Sequence, residues 1–192
     1  MSTPTTQRFA DAFVFAHELH AAQIRKGSNV PYVAHLMSVS AIVLEHGGDE
    51  DLAIAALLHD AVEDQGGAAT REQIRARFGE RVAAIVDGCT DSDVTPKPPW
   101  RKRKELYIAH LATASDDVRK VSMSDKLHNA RSILGDHRVI GDALWERFTG
   151  GKSGTLWYYR ALVNAYRAAR PDESSALLDE LERTVAAIEA RS

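Results

Sequence analysis

In the segment DLAIAALLHDAVEDQGG, four ionisable residues, His59, Asp60, Glu63 and Asp64, follow an apolar run from Leu52 to Leu58. That run is apolar on every side of a helix, which marks it as buried among neighbouring helices. Helical geometry sets His59 one turn from Glu63 and Asp60 one turn from Asp64, so the four form one patch. An uncompensated buried carboxylate costs several kcal/mol, and partners are required. A divalent metal meets that requirement. Imidazole with carboxylate suits manganese, iron or zinc, whereas a thiolate site is excluded by a chain whose single cysteine is Cys89. Two more residues share the anomaly: His35 lies on the apolar stripe of Val39 and Ile42, and Asp125 on that of Val118 and Val121. A lone inward histidine such as His35 also reads as a satisfied core residue. Taken together, three helices each point a possible ligand inward, which is how a helical bundle builds a metal site.

The wording around these residues carries a resemblance. RKGSNVPYVAHL, LLHDAVED, VDGCT and SDKLHNAR occur in this order between Phe13 and Leu134. The chain resembles the HD superfamily of metal-dependent phosphohydrolases, in particular the alarmone hydrolase domain of the RelA/SpoT proteins and its small stand-alone relatives. The resemblance implies a single divalent metal, manganese first, held by His35, His59, Asp60 and Asp125. It implies water activation by Glu63 and Asp64, nucleotide contacts from Arg25 and Lys26, and a pocket lined by Tyr32, Asn129 and Ser132. The implied reaction removes the 3′-pyrophosphate of guanosine tetra- or pentaphosphate and leaves GDP or GTP. Leu36 stands where the family commonly has Pro, and Ser124, Lys126 and Ala130 depart from its ADRLHNMR wording; no ligand is lost. With no room for a synthetase domain, a hydrolase-only form is expected.

A metal so held lowers the pKa of its water and acts as a Lewis acid on phosphorus. Glu63 or Asp64 then handles the proton. The substrate is highly anionic, so local cations must hold it. Arg25 and Lys26 lead, because guanidinium grips phosphate with two parallel bonds and ammonium adds a point charge. The run WRKRKELY reads either as a solvated face or as phosphate contact; Lys97, in the loop DSDVTPKPP, and Arg101, just after it, are the expected pocket members. Trp157, Tyr158, Tyr159 and Arg160 read as core or as a guanine platform. Lys152 is a rim candidate and His128 a hydrogen-bonding neighbour. His17, His20, His46, His110 and His137 show no paired spacing for a second metal. Two other readings stay open: a phosphohydrolase acting on another phosphorylated nucleotide or cofactor, and a catalytically silent nucleotide sensor.

The elements that must position these groups are helical. Apolar residues recur at helical spacing almost throughout, which predicts an all-α fold, one HD-domain bundle over residues 1–192 with the motifs in about 13–134. Helices are expected over Gln7 to Arg25, from Pro31 to Gly47, without a break from Glu50 to Gly66, and from a Thr70–Gln73 capping box to Gly79. Others follow along Val82 to Cys89, from Trp100, over Val118 to Leu134, after a Gly150–Gly154 separator, and from Pro171–Asp172 onward. The last carries Leu178, Leu181, Val185 and Ile188 on one face, which suits packing within the chain or against a second subunit, so the oligomeric state stays open. The chain has 192 residues and a net charge of -3, which gives no general attraction for nucleic acid or anionic membrane. With no long apolar run, no secretory leader and one cysteine, a cytoplasmic protein handling a small nucleotide is expected.

Overall fold

The computed structural model describes residues 4–91, 96–170 and 175–191. Among them, regular structure is helical, apart from one antiparallel bridge between Ile24 and Pro31. None of the helices is long and apolar enough to cross a membrane. The chain divides into two units, Met1–Thr95 with Ser115–Ser124, and Pro96–Ala114 with Asp125–Ser192.

The first unit holds α1 (Gln7–Leu19), α2 (Val33–Glu45), α3 (Glu50–Leu58), α4 (Ala61–Asp64), α5 (Gly67–Phe78) and α6 (Glu80–Cys89). Thr6 caps α1 by accepting from the Arg8 amide, and Asp49 caps α3 by accepting from the Leu52 amide at 3.0 Å. Every residue of α3 from Leu52 to Leu58 is buried, because α1, α2 and α6 all pack on it. Each fully buried leucine or isoleucine there contributes about 1.5–3 kcal/mol. α3 is therefore a rigid mount for the residues that follow it.

Several helices begin or end away from the positions that the spacing predicts. α1 stops at Leu19 rather than Arg25, and the chain turns back through the bridge, with the Arg25 amide donating to Val30 O and the Tyr32 amide to Gln23 O, each at 2.9 Å. The expected helix from Glu50 to Gly66 is two helices, interrupted at His59 and Asp60. The His59 ring supplies the reason: its Nδ1 takes Ala56 O at 2.8 Å, the carbonyl that would otherwise accept from the Asp60 amide. Thr70 opens no helix either. α5 starts at Gly67, and the Thr70 hydroxyl donates back to Gln65 O from inside it.

α8 (Asp116–Ile140) is one continuous helix, longer than the expected Val118 to Leu134. Its beginning packs in the first unit beside α6, where Gly88 makes room: a Cβ at Gly88 would lie 2.4 Å from Val118 Cγ2. Asp125 follows directly on Ser124 along this helix.

In the second unit α9 (Gly151–Ala169) packs with α7 (Trp100–Leu111), α10 (Ala176–Glu189) and a 3₁₀ segment, Gly141–Arg147. α9 begins at Gly151, so Gly154 lies inside it and is no separator. A Cβ at Gly150 would meet Trp100 Cη2 at 2.6 Å. Tyr158 and Tyr159 are buried, which is the core reading of that aromatic run. Leu178, Leu181, Val185 and Ile188 are buried along α10 as expected, and Ser175 caps it. The expected opening of that helix at Pro171–Asp172 lies outside the described residues, as does 92–95 of the Pro-rich loop; Asp91 and 96–99 are irregular.

Candidate metal centre

His35 on α2 and His59 at the end of α3 are 1% and 3% exposed, so both imidazoles are held by packing. Their rings meet edge to face with centroids 5.2 Å apart. Because Ala56 O can only accept, His59 Nδ1 is the protonated nitrogen, and Nε2 carries the lone pair. That Nε2 faces Asp60 Oδ2 at 3.0 Å, and His35 Nε2 lies 3.7 Å from the same oxygen. Two acceptors turned toward each other, as His59 Nε2 and Asp60 Oδ2 are, are what a shared cation requires. Asp125, on the part of α8 that belongs to the second unit, is buried as well. Two imidazoles and a carboxylate suit a divalent transition metal.

Asp60 sits beside this group and is half-buried. Its Oδ2 accepts from the Tyr32 hydroxyl at 2.5 Å, so Tyr32, expected to line a nucleotide pocket, has its polar end committed to a carboxylate of the site. Asp125 is held on both oxygens. Asn129 Nδ2 donates to Oδ1 at 2.5 Å, and Lys126 Nζ lies 2.6 Å from Oδ2. Burial is the largest single influence and acts to lower the Lys126 pKa, but the Asp125 carboxylate together with Tyr158, Tyr107 and Tyr166 outweighs it and holds the ammonium well above its ordinary range.

Glu63 and Asp64 lie on α4, the turn after the break. Glu63 Oε2 accepts from the Asp91 amide at 3.1 Å, a partner that sequence periodicity does not reveal. Asp64 is exposed as a residue, yet its carboxyl end is crowded. Loss of hydration raises its pKa, repulsion from Asp60 and Glu63 adds to that, and the Gln23 amide and His20 oppose it. Gln23 Nε2 donates to Asp64 Oδ2 at 2.9 Å. Periodicity does not reveal Gln23 either; its one signal in the sequence is its place two residues before Arg25.

Arg25 is half-buried in the bridged turn and Lys26 is exposed. Ser132 donates to His128 O at 3.0 Å within α8. Lys97 is exposed, and Arg101 pairs with Glu105 at 2.7 Å while its guanidinium lies 3.2 Å above the Trp157 ring. Lys152 pairs with Asp142 at 3.0 Å.

The sequence from residue 12 to residue 142 matches the HD domain family. This chain belongs to that family. The matched stretch of this HD domain contains His35, His59, Asp60, Glu63, Asp64 and Asp125. A guanosine-3′,5′-bis(diphosphate) 3′-pyrophosphohydrolase of Aquifex aeolicus is 40% identical over 124 residues, 64% of this chain and 17% of that protein. MESH1 of Danio rerio, a protein of the same enzyme name, is 34% identical over 136 residues, 69% of this chain and 73% of that one. A solved structure of a metazoan ortholog of SpoT that hydrolyzes ppGpp has a TM-score of 0.78 at 26% identity, covering 95% of this chain and 96% of that one. The HD domain here spans a small part of the first bacterial relatives it matches, 16% of the Synechocystis protein and 17% of the Aquifex protein.

Proposed function

We propose that this chain hydrolyses guanosine 3′,5′-bis(diphosphate) and its pentaphosphate at the 3′ position, releasing pyrophosphate and GDP or GTP. The observation that carries the reading is the buried pair His35 and His59 facing Asp60 Oδ2, with Glu63 and Asp64 one turn further on. Relatives bearing the corresponding enzyme name support it. We take His35, His59, Asp60 and Asp125 as ligands of one divalent metal, manganese first. When bound, such a metal supplies Lewis-acid chemistry and a more acidic water.

The chain's own residues do the rest. Glu63, aimed by the Asp91 amide, orients the attacking water, and Asp64 takes or returns the proton. The water oxygen joins phosphorus, the bond from phosphorus to the ribose 3′ oxygen breaks, and that oxygen receives a proton. Arg25 and Lys26 grip the polyphosphate, with Asn129 and Ser132 on the nucleotide side and Lys97 and Arg101 as outer cations. Tyr32 lines the pocket and steadies Asp60. We take residues 1–192 as one HD hydrolase domain, with its motifs in about 13–134. Its place is the cytoplasm and its ligand a free nucleotide rather than nucleic acid or membrane, a view that the net charge of -3 supports.

The test is incubation of metal-stripped, manganese-resupplied protein with guanosine tetraphosphate while pyrophosphate is followed. Glu63→Gln should lose turnover by about 10²–10⁴-fold, the usual contribution of a positioned acid or base, with manganese binding retained. Phosphate release from simpler nucleotides without pyrophosphate from the tetraphosphate would transfer the assignment to another phosphorylated substrate. Tight binding without product would make the chain a sensor.

A further inference from the structure

α1 closes on His20, 2% exposed, a histidine that neither the metal group nor the substrate set uses. Its ring stacks on Tyr32, centroids 5.2 Å apart and planes at 22°. His20 Nδ1 lies 2.6 Å from Gln23 Oε1, and because that amide oxygen accepts, Nδ1 is the donor. Gln65 Nε2 donates to the same oxygen at 2.7 Å. Two donors on Oε1 leave the Gln23 amide one orientation, with its Nε2 turned to Asp64 Oδ2 at 2.9 Å.

His20 Nε2 is then an acceptor, and among the described residues it is buried with no hydrogen-bonding partner. Burial in that state costs free energy, which an apolar side chain of similar volume avoids. Packing alone therefore gives no reason for an imidazole at this position. Local rules broken in this way concentrate where function demands a particular group.

We infer that Gln23, clamped by His20 and Gln65, is a positioning residue that aims the Asp64 carboxylate, and that the same His20 ring seats Tyr32 against Asp60. Asp60 and Asp64 stand one helical turn apart and repel each other, so each needs its own restraint. Gln23 restrains one and Tyr32 the other. His20 touches both restraints, one through Nδ1 and one through its ring face.

The kinetic arm of the test rests on the hydrolase reading; the spectroscopic arm does not. Gln23→Ala should lower kcat about 10–100-fold, the usual effect of removing a group that orients a site residue, with KM and the manganese Kd within about twofold. Added to Asp64→Ala it should cost nothing further, because the two act through one contact. His20→Leu should hold or raise Tm while losing kcat. His20→Asn, which keeps a donor near Nδ1, should retain more kcat than His20→Leu. Independently of turnover, the Gln23 side-chain amide proton resonances should move toward those of a free amide in Asp64→Ala. An unchanged kcat in Gln23→Ala, additive losses in the double variant, or His20→Asn no better than His20→Leu each overturns the inference. So do Gln23 resonances indifferent to Asp64→Ala. A wild-type protein with no turnover but the expected resonance shift defeats the hydrolase reading and leaves the clamp standing.

Discussion

Tyr32→Phe isolates one hydrogen bond. The ring remains, and with it the stack on His20 at 5.2 Å and the edge contact to His35 at 5.4 Å; only the hydroxyl that donates to Asp60 Oδ2 at 2.5 Å is lost. A hydrogen bond to a charged partner contributes about 1.5–3 kcal/mol, and each ~1.4 kcal/mol is tenfold in an equilibrium constant, so the limits are about 10- and 150-fold. The Asp60 side chain keeps 24% exposure, which lets water replace part of the missing donor and favours the lower limit. The expected result is a manganese Kd weakened about tenfold, in line with the cost of removing groups that support metal ligands. Calorimetric titration of stripped wild type and variant at one pH measures it, with thermal melts of both as the control for folding. Equal affinities within about twofold at equal Tm would refute the claim that this hydroxyl steadies a ligand.

Other outcomes follow from the same geometry. Gly88→Ala places a Cβ 2.4 Å from Val118 Cγ2, so α8 must shift; overpacking of this kind costs about 1–3 kcal/mol, and melting should show it together with weaker manganese binding, since α8 carries Asp125. Intact metal binding in a destabilised Gly88→Ala would separate the two effects and refute the link. The Asp142 carboxyl is held down to about 2 by hydrogen bonds from His137, Lys152 and Trp145. A depressed carboxyl adds stability above its unfolded pKa, lost as pH falls through the folded value; Asp142→Asn should therefore flatten the decline of Tm between about pH 4 and 2. A slope unchanged by that substitution tells against the assignment.

The ionisable residues were legible before any fold because they interrupt apolar helical stripes, and such stripes are local patterns that a chain displays in one dimension. His35, His59 and Asp125 announce themselves that way, and the buried α3 follows from an apolar run with no polar side. What the stripes do not contain is the hydrogen bonding that ends a helix early. His59 Nδ1 on Ala56 O breaks the expected continuous helix between α3 and α4, and the bridge between Ile24 and Pro31 replaces the expected last turns of α1.

The amino-acid sequence by itself determined the helical class, the stripes that would be buried and the kind of atoms that would meet there, because periodicity and side-chain chemistry belong to each segment alone. Only the tertiary structure decided how those atoms are restrained. Gln23 reaches Asp64 across 41 positions and the Asp91 amide reaches Glu63 across 28, and bonds between distant segments leave no repeat for a sequence pattern to display.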